Sequence, residues 1–311
     1  LNIVFVVYWG QGIEGVFRAN IIASIFLFLI SLPILFNRVK LSSFNKKIFK
    51  KILYFSMPFL PAGIFTMVME LSDRYLLEWL LGTAEVGLYS AGKKIGMLGL
   101  TVVMGFNLGW TPYFLKRGKE SGARLEFAKI TTMFLGFMSY VCILVSLWIG
   151  EIMQLSINGR TLIGSQFWDS QPIVKSILLG YFFFGTYVIQ LPGVYIKEIT
   201  NWVPIFRITG AITLVVSGVF LIPFIGYLGA AYGVIFAFFV MSVAIYIKTN
   251  KIYPIPYNWR GIAIPVFCLV FIQINFESIM IKLLISIFYP FCWYIFALNK
   301  FEKNDLIKAV K

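Results

Sequence analysis

The chain has 311 residues, of which 59% are hydrophobic and 13% are charged, and its mean hydropathy is +0.86. Soluble domains are about 45–50% apolar and about 25% charged, so this composition excludes a soluble globular protein and indicates a chain surrounded by lipid. A formal net charge of +14 would suggest a nucleic-acid partner in a soluble protein, but here the position of the basic residues relative to membrane spans has to be considered first.

Residues that support common chemistry are scarce. There is no histidine, which removes the commonest general base and metal ligand. Cys142, Cys268 and Cys292 lie far apart within apolar runs, as small buried hydrophobic residues do. The longest connection between predicted spans on the outer side, 151–172, has 22 residues and is too short for a catalytic domain. We therefore expect no enzyme activity, cofactor or metal, and any recognition should lie within the helix bundle.

The apolar stretches predict an all-α, polytopic transmembrane helical bundle. A span needs about 20 mostly apolar residues, and residues 1–9 have the composition of the end of one span. The nine further predicted spans are 19–36, 52–82, 86–114, 127–150, 173–196, 203–223, 228–247, 261–276 and 278–298. The last two are short, and the division between them is left open.

The basic residues alternate between successive connections. Alternate segments, ending with the tail, carry 6, 5, 1, 3 and 4 Lys or Arg residues: 37–51, 115–129, 197–202, 248–260 and 299–311. The opposite connections hold Arg160, with Arg18 just beyond one of them. Connections rich in Lys and Arg face the cytoplasm, so the C-terminus is predicted to be cytoplasmic. The charge of +14 is mostly a topology signal, and no nucleic-acid partner is expected.

The stretch "EVGLYSAGKKIG", residues 85–96, contains Gly87 followed at the fifth position by Gly92-Lys93-Lys94. This pattern is one residue short of the phosphate-binding loop G-x-x-x-x-G-K-[ST]. Lys94 stands where Ser or Thr is needed to bind Mg²⁺, and no strand precedes the stretch. A nucleotide site is therefore not predicted, and the two lysines need another explanation.

Two groups of residues resemble a known family. The first lies in 54–96 and comprises Pro58 and Pro61, Asp73-Arg74, Gly82 and Val86-Gly87-Leu88-Tyr89-Ser90. The second is the segment "LIPFIGYLGAAYGV", which begins at Leu221 and contains Pro223, Gly226, Gly229, Ala230 and Ala231. In this order and topology, the motifs resemble the polysaccharide flippases, the Wzx-type O-antigen translocases of the MATE-like exporter superfamily.

The resemblance implies a fold of 12 to 14 spans in two lobes of six, with optional extra C-terminal helices. On that template the chain starts near the end of the fifth span, so we expect a MATE-like two-lobe flippase fold with an incomplete first lobe. Residues 1–51 would form the end of the N-terminal lobe and a cytoplasmic linker. Residues 52–250 would form the C-terminal six-helix lobe, and 251–311 two extra helices and a basic cytoplasmic tail.

The resemblance also implies a substrate, an oligosaccharide on undecaprenyl pyrophosphate such as an O-antigen or other surface polysaccharide unit. Alternating access would move it from the cytoplasmic to the outer leaflet of the bacterial cytoplasmic (inner) membrane. Besides this lipid-linked oligosaccharide and the membrane lipids, a polysaccharide polymerase and the chain-length machinery are implied as partners. A charged headgroup crossing hydrocarbon needs a water-filled cavity that contains cations.

The strongest cation candidates lie in the predicted hairpin around Gly82. Glu70, Arg74 and Glu78 have i, i+4, i+8 spacing and share one helix face, and a hairpin would place Lys93 and Lys94 near Asp73 and Glu70. Adjacent helical residues point about 100° apart, so only one of the two lysines is expected to face the cavity. The competing interpretation is a set of local ion pairs that fixes the hairpin.

Other polar residues within spans are weaker candidates for the cavity. Arg207 lies near the predicted cytoplasmic end of its helix, where it would meet an entering headgroup or pair with Glu198. Asn107 and Gln190 are polar positions inside spans. Lys175 lies near an outer end, as does Arg18, and long basic side chains at such places usually extend to the interface.

Three other functions remain open. A cation-coupled multidrug exporter of the same superfamily would favour acidic cavity residues. A membrane-embedded polysaccharide-assembly enzyme would carry its catalytic residues in a large outward loop, but 151–172 offers only Glu151, Arg160 and Asp169. The third is a scaffold that does not transport.

Overall fold

The computed structural model describes residues 1–38, 44–157, 160–161 and 163–304. Parts of the predicted basic segments, 39–43 and 305–311, lie outside these residues. The twelve α-helices of the described part are α1 (Gly12–Arg38), α2 (Lys46–Ser56), α3 (Phe59–Leu81), α4 (Thr83–Gly96), α5 (Leu98–Arg117), α6 (Ala123–Gln154), α7 (Gln171–Val188), α8 (Leu191–Ile196), α9 (Trp202–Ile225), α10 (Tyr227–Ile252), α11 (Trp259–Phe271) and α12 (Ile279–Cys292). Short π-helices occur at Val4–Tyr8 and Trp293–Ala297, and a 3₁₀ helix at Ser165–Ser170. The two-residue strands β1 (Ser156–Ile157) and β2 (Arg160–Thr161) pair antiparallel.

Within the described residues, eight helical segments are long and apolar enough to cross a membrane. They are Gly12–Asn37, Lys46–Leu81, Thr83–Arg117, Ala123–Gln154, Ser165–Ile196, Trp202–Ile225, Tyr227–Ile252 and Ile279–Ala297. The protein is therefore an all-α, multi-pass membrane helical bundle, as the composition predicted.

The predicted span 261–276 is wrong in length. The helix there, α11, has 13 residues and ends at Phe271, so it rises about 20 Å, short of the roughly 30 Å of bilayer hydrocarbon. Polar residues explain the early end. The Gln273 side chain donates to the carbonyls of Leu269 and Lys175, and the carbonyls of Ile272 and Ile274 accept from the Lys175 ammonium.

Two predicted spans are interrupted rather than continuous. The span predicted at 86–114 divides at Met97 into α4 and α5, and the span predicted at 173–196 divides at Ile189–Gln190 into α7 and α8. Gly96 precedes the first break, and glycine is among the poorest helix formers. Pro192, which cannot donate a backbone hydrogen bond, follows the second break at the start of α8.

The chain divides into two compact units, Leu1–Tyr54 and Phe55–Lys311. In the first unit, the Val4–Tyr8 turn packs against the start of α1, where Gly15 lies close to the backbone of Phe5. Arg18, expected near an outer end, is exposed and pairs with Glu14 one turn away at 3.3 Å.

Helix α7 forms the centre of the second unit. Fifteen of its 18 residues are buried, and it packs against α4, α5, α6 and α10. Helix α3 packs against α9, which pairs with α10 as a hairpin. Of the helices that carry functional candidates, α4 and α5 thus pack directly against α7, while α3 and α9 pack against each other.

The α9–α10 hairpin turns at Gly226, which has φ of +63°, a conformation that glycine adopts without steric cost. A Cβ atom at Gly229 would lie 2.5 Å from the carbonyl carbon of Leu221, so only glycine permits this helix contact. The glycines of the second motif thus permit a tight turn and close packing of α9 against α10.

Polar contacts attach the last helices to α6 and α7. Lys282 donates to Glu151 at 2.5 Å, and Trp148 donates to Ser286 at 3.2 Å. Lys175 is only 5% exposed and donates to Asn275 Oδ1 at 2.9 Å. The expectation that Lys175 extends outward is therefore wrong, because its ammonium group holds the α11–α12 connection instead.

Candidate functional site

The α3–α4 hairpin brings Lys93 to Asp73, as the predicted hairpin required. Both side chains are buried, and the Lys93 ammonium donates to Asp73 Oδ2 and, at 3.1 Å, to the carbonyl of Glu70. The Tyr89 hydroxyl donates to the same carboxylate oxygen at 2.6 Å, while the backbone N–H of Arg74 donates to Oδ1 at 2.9 Å. Both carboxylate oxygens of Asp73 are thus occupied by protein donors.

Two glycines determine the direction of Lys93 and Lys94. A Cβ atom at Gly92 would lie 2.8 Å from Ile173 Cβ, and one at Gly96 would lie 2.6 Å from Ile177 Cγ2. The Gly92–Gly96 face of α4 therefore lies directly against α7, in the small-xxx-small manner of membrane helices. Because successive residues turn by about 100°, Lys93 points sideways toward α3 and Lys94 points away from α7.

Lys94 is exposed and has no ion pair or hydrogen bond from its side chain to any described residue. It lies twelve residues after Gly82, the turn of the hairpin. At about 1.5 Å per residue this is about 18 Å along the helix from the turn, within a helical segment that is long and apolar enough to cross a membrane.

Three charged residues of α3 form no salt bridge with one another. Glu70 and Glu78 are exposed, and Arg74 between them is half-buried with a buried Nε that lacks a partner among the described residues. Glu70 lies twelve residues before Gly82, so its depth matches that of Lys94 by the same helix geometry. The competing interpretation, a set of local ion pairs, therefore accounts for Lys93 and Asp73. It does not account for Arg74 or Lys94.

Arg207 lies over two aromatic rings of α7. Its guanidinium carbon is 5.1 Å from the centroid of Tyr187 and 5.6 Å from that of Phe184, distances typical of cation–π interactions. In the part of the chain that the structure describes, these two rings are the contacts of the Arg207 guanidinium. Arg207 is half-buried, so part of the guanidinium remains accessible.

The two polar candidates differ in their surroundings. Asn107 is half-buried on α5 and accepts from Thr111 at 3.1 Å. Gln190 is 5% exposed and donates to Thr186 at 2.7 Å and to Ser242 at 3.1 Å, while its Oε1 is buried without a partner in the described structure. Gln190 thus belongs to the contact between α7 and α10.

Two features of the site differ in how far the sequence predicts them: the role of Tyr89 and the packing face at Gly92 and Gly96. The sequence places Tyr89 in a motif but does not predict that it donates to Asp73, because this contact depends on the register of α3 against α4. The Gly92–Gly96 spacing, in contrast, was readable, since small residues four apart on a membrane helix indicate a packing face. That signal would have assigned Lys94 to the outward face.

The fold and the charged hairpin define a multi-pass membrane protein with ionisable groups on helices that are long and apolar enough to cross a membrane. Residues 1–118 match the family model described as "Polysaccharide biosynthesis protein", which is somewhat over a third of the chain. The matched region includes the α3–α4 hairpin and supports a membrane protein of polysaccharide biosynthesis. No curated protein and no solved structure matches the chain.

Proposed function

We propose that this protein is a transporter that flips an undecaprenyl-pyrophosphate-linked oligosaccharide from the cytoplasmic to the outer leaflet of a bacterial cytoplasmic membrane by alternating access. The family match of residues 1–118 supports the link to polysaccharide. The direction and the lipid carrier rest on the resemblance in the sequence and on the charge pattern of the hairpin.

The observation that carries the proposal is the pair Glu70 and Lys94. Both side chains are exposed on neighbouring helices, and each lies about 18 Å along its helix from the Gly82 turn. A charged residue facing lipid at the centre of a bilayer costs about 2.5–3.5 kcal/mol on insertion scales, and no ion pair between Glu70 and Lys94 in the described structure offsets that cost. We infer that they face water, and a water-filled path at this depth is what a polar headgroup requires.

The cations divide into two roles in this proposal. Lys93 and Asp73 neutralise each other and fix the register of α3 against α4. Arg74, Lys94 and Arg207 keep charge available for the pyrophosphate, since none of them has a carboxylate partner among the described residues. The lipid tail remains in the membrane while the headgroup passes these side chains.

The proposal is tested in a strain that makes a surface polysaccharide and lacks the gene for this protein. Undecaprenyl-linked repeat units should accumulate on the cytoplasmic side, and the wild-type gene should restore export.

Lys94→Ala should lower export about tenfold or more with normal protein levels, while Lys94→Arg should retain most of it. Lys116→Ala, which removes an exposed lysine at the end of α5, is the matched control. Unchanged export without the gene would refute the function.

A cation-coupled multidrug exporter is the second candidate, because one observation favours it. Glu70 and Glu78 are exposed carboxylates without a salt bridge in the described structure, and a cavity for cationic drugs uses such groups. Under this alternative, Glu70→Gln would reduce resistance to cationic drugs, and Lys94→Ala would not. Under the main proposal the effects on polysaccharide export are the reverse: Lys94→Ala reduces export, and Glu70→Gln does not.

A further inference from the structure

A large groove lies at one end of the second unit, where α5, α8 and α10 end and α6 and α11 begin. Its volume is about 990 Å³, and we call it the basic groove. Lys119, Arg124 and Lys197 are among the residues that line it. All three are exposed, and none forms a salt bridge with a described residue. By the distribution of basic residues, this end of the bundle is the cytoplasmic one.

The other charged and phenolic groups of the basic groove do not offset these cations. The carboxylate of Glu120 is already paired with Arg117. Arg124 stacks on Tyr253 with 4.7 Å between the guanidinium carbon and the ring centroid. Burial raises the pKa of the Tyr253 phenol and of the Tyr257 phenol, so both stay neutral. The groove is therefore positively charged.

A second cavity of about 170 Å³ shares part of the wall of the basic groove. We call it the apolar crevice. Tyr246, Tyr257 and Trp259 line both cavities. The remaining walls of the apolar crevice come from α7 and its end, from α10 and from α11: Phe183, Thr186, Ile189, Gln190, Phe239, Ser242, Val243 and Ile262.

The apolar crevice extends into the membrane. Val243 lies nine residues before the end of α10 at Ile252, which is about 14 Å along the helix. A positively charged groove at the helix ends thus adjoins an apolar slot at the depth of acyl chains. Aromatic residues such as Trp259 and Tyr257 at the junction are typical of the membrane–water interface.

We propose that the basic groove and the apolar crevice together bind one anionic glycerophospholipid. The phosphate of the headgroup contacts Lys119, Arg124 and Lys197, and an acyl chain enters the crevice between α7, α10 and α11. Basic pockets between membrane helices on the cytoplasmic side have the chemistry for such headgroups. A soluble protein partner would not use the crevice, which lies at membrane depth. This inference does not depend on what the protein transports.

The experiment is native mass spectrometry of the full-length protein, released from nanodiscs that contain equal amounts of phosphatidylglycerol and phosphatidylcholine. The two lipids share acyl chains and differ in headgroup charge. Wild-type protein should retain phosphatidylglycerol preferentially. Each cation near a headgroup changes affinity about fivefold, so Lys119→Gln/Arg124→Gln/Lys197→Gln should lose on the order of 100-fold in that preference if the effects add.

Two matched controls isolate the site. Lys46→Gln/Lys47→Gln/Lys50→Gln removes the same charge from α2, whose residues do not line the groove, and should keep the preference. Val243→Trp fills the crevice and should reduce retention of both lipids, whereas Val216→Trp at an exposed valine of α9 should not. Monodisperse elution and unchanged helical circular dichroism establish that each variant is folded.

Three outcomes would overturn the inference. Equal retention of the two lipids by wild-type protein would exclude an anionic-headgroup site. Equal loss in the groove variant and in the α2 control would assign the preference to net charge. Displacement by glycerol phosphate or inorganic phosphate as effectively as by the lipid, or binding of undecaprenyl pyrophosphate alone, would assign the groove to a different ligand.

Discussion

Asp73 illustrates how one residue sets the arrangement of the charged hairpin. Its two oxygens accept from Lys93, from Tyr89 and from the backbone of Arg74, and the residue is only 1% exposed. A buried carboxylate is tolerated when it is paired and hydrogen-bonded. Because of the same contacts, Lys93 is not available to a substrate. Of the two adjacent lysines, Lys94 is therefore the one that a substrate can contact.

We predict that Asp73→Asn strongly destabilises the protein, because Lys93 would remain buried without a counter-charge. Breaking a buried pair in this way costs about 3–5 kcal/mol. The double variant Asp73→Leu/Lys93→Met removes both charges and should recover most of that loss. The measurement is thermal unfolding of the purified protein in detergent, followed by loss of the monodisperse peak.

Glu78→Gln serves as the control for that experiment, since Glu78 is an exposed carboxylate of the same helix without a salt bridge in the described structure. It should change stability by less than about 0.5 kcal/mol. If Asp73→Asn were as mild as Glu78→Gln, the Lys93–Asp73 pair would not fix the hairpin.

At the scale of helices, the contact between α4 and α7 depends on the absence of two side chains. Gly92 and Gly96 lie against Ile173 and Ile177 at distances that no Cβ atom could adopt without a shift of its neighbours. The contact holds α4 in the orientation that buries Lys93 and exposes Lys94. Packing and charge placement in the hairpin are thus coupled.

We predict that Gly96→Ala destabilises the protein by about 1–3 kcal/mol through overpacking. The added Cβ would lie 2.6 Å from Ile177 Cγ2. Gly87→Ala on the same helix is the matched control, because a Cβ there meets nothing within 4 Å. It should be neutral or stabilise by about 0.5–1 kcal/mol. Similar thermal shifts for both variants would rule out a close α4–α7 contact.

A second element-scale prediction concerns the connection between α11 and α12. Lys175→Met should loosen it, since the ammonium group donates to Asn275 and to the carbonyls of Ile272 and Ile274. Hydrogen exchange in 272–278 should become faster than in wild-type protein, with α3 and α9 unchanged. Lys300→Met, an exposed lysine near the chain end, is the control, and equal exchange in the two variants would contradict the role of Lys175.

The sequence predicts the elements well where a single strong signal decides them. Apolar length identifies the bundle, and Gly226 with Gly229 identifies the α9–α10 turn. Hydropathy averages over many residues, so it does not detect the breaks at Met97 and at Ile189–Gln190. It also overestimates α11, because Lys175 satisfies the carbonyls that end the helix and lies almost 100 residues away in the sequence.

The candidate site is predictable only in part for a similar reason. Helix spacing places Asp73, Lys93 and Lys94 in one hairpin, but the choice between the two lysines depends on which face of α4 packs against α7. For Arg207, the aromatic partners on α7 come from a distant segment of the chain. Such choices depend on tertiary packing, which single-sequence periodicity does not contain.

At the scale of the whole molecule, the orientation in the membrane links the proposals. The transport direction and the leaflet of the lipid site both assume that the end of the bundle near 118–125 is cytoplasmic. Helix α6 is the best reference, because its 32 residues span about 48 Å. Its two ends therefore lie on opposite sides of the membrane, whatever the number of other spans.

We predict that a residue just before α6 and a residue in the connection that follows α6 differ in their access to a membrane-impermeant thiol reagent in intact cells. In a variant that lacks Cys142, Cys268 and Cys292, Ser165→Cys should be labelled from outside. Ser121→Cys should be labelled only after the membrane is permeabilised, because basic connections are retained in the cytoplasm. Both serines are exposed, so burial does not limit either reaction.

The reversed labelling pattern would have specific consequences. It would place Lys119, Arg124 and Lys197 on the outer side, so the proposed phospholipid would belong to the outer leaflet. It would also put the Gly82 turn of the charged hairpin on the cytoplasmic side, and Arg74 would then meet the substrate before Arg207. Labelling of both positions from outside would contradict α6 as a membrane-crossing helix, and with it the arrangement of the bundle around α7.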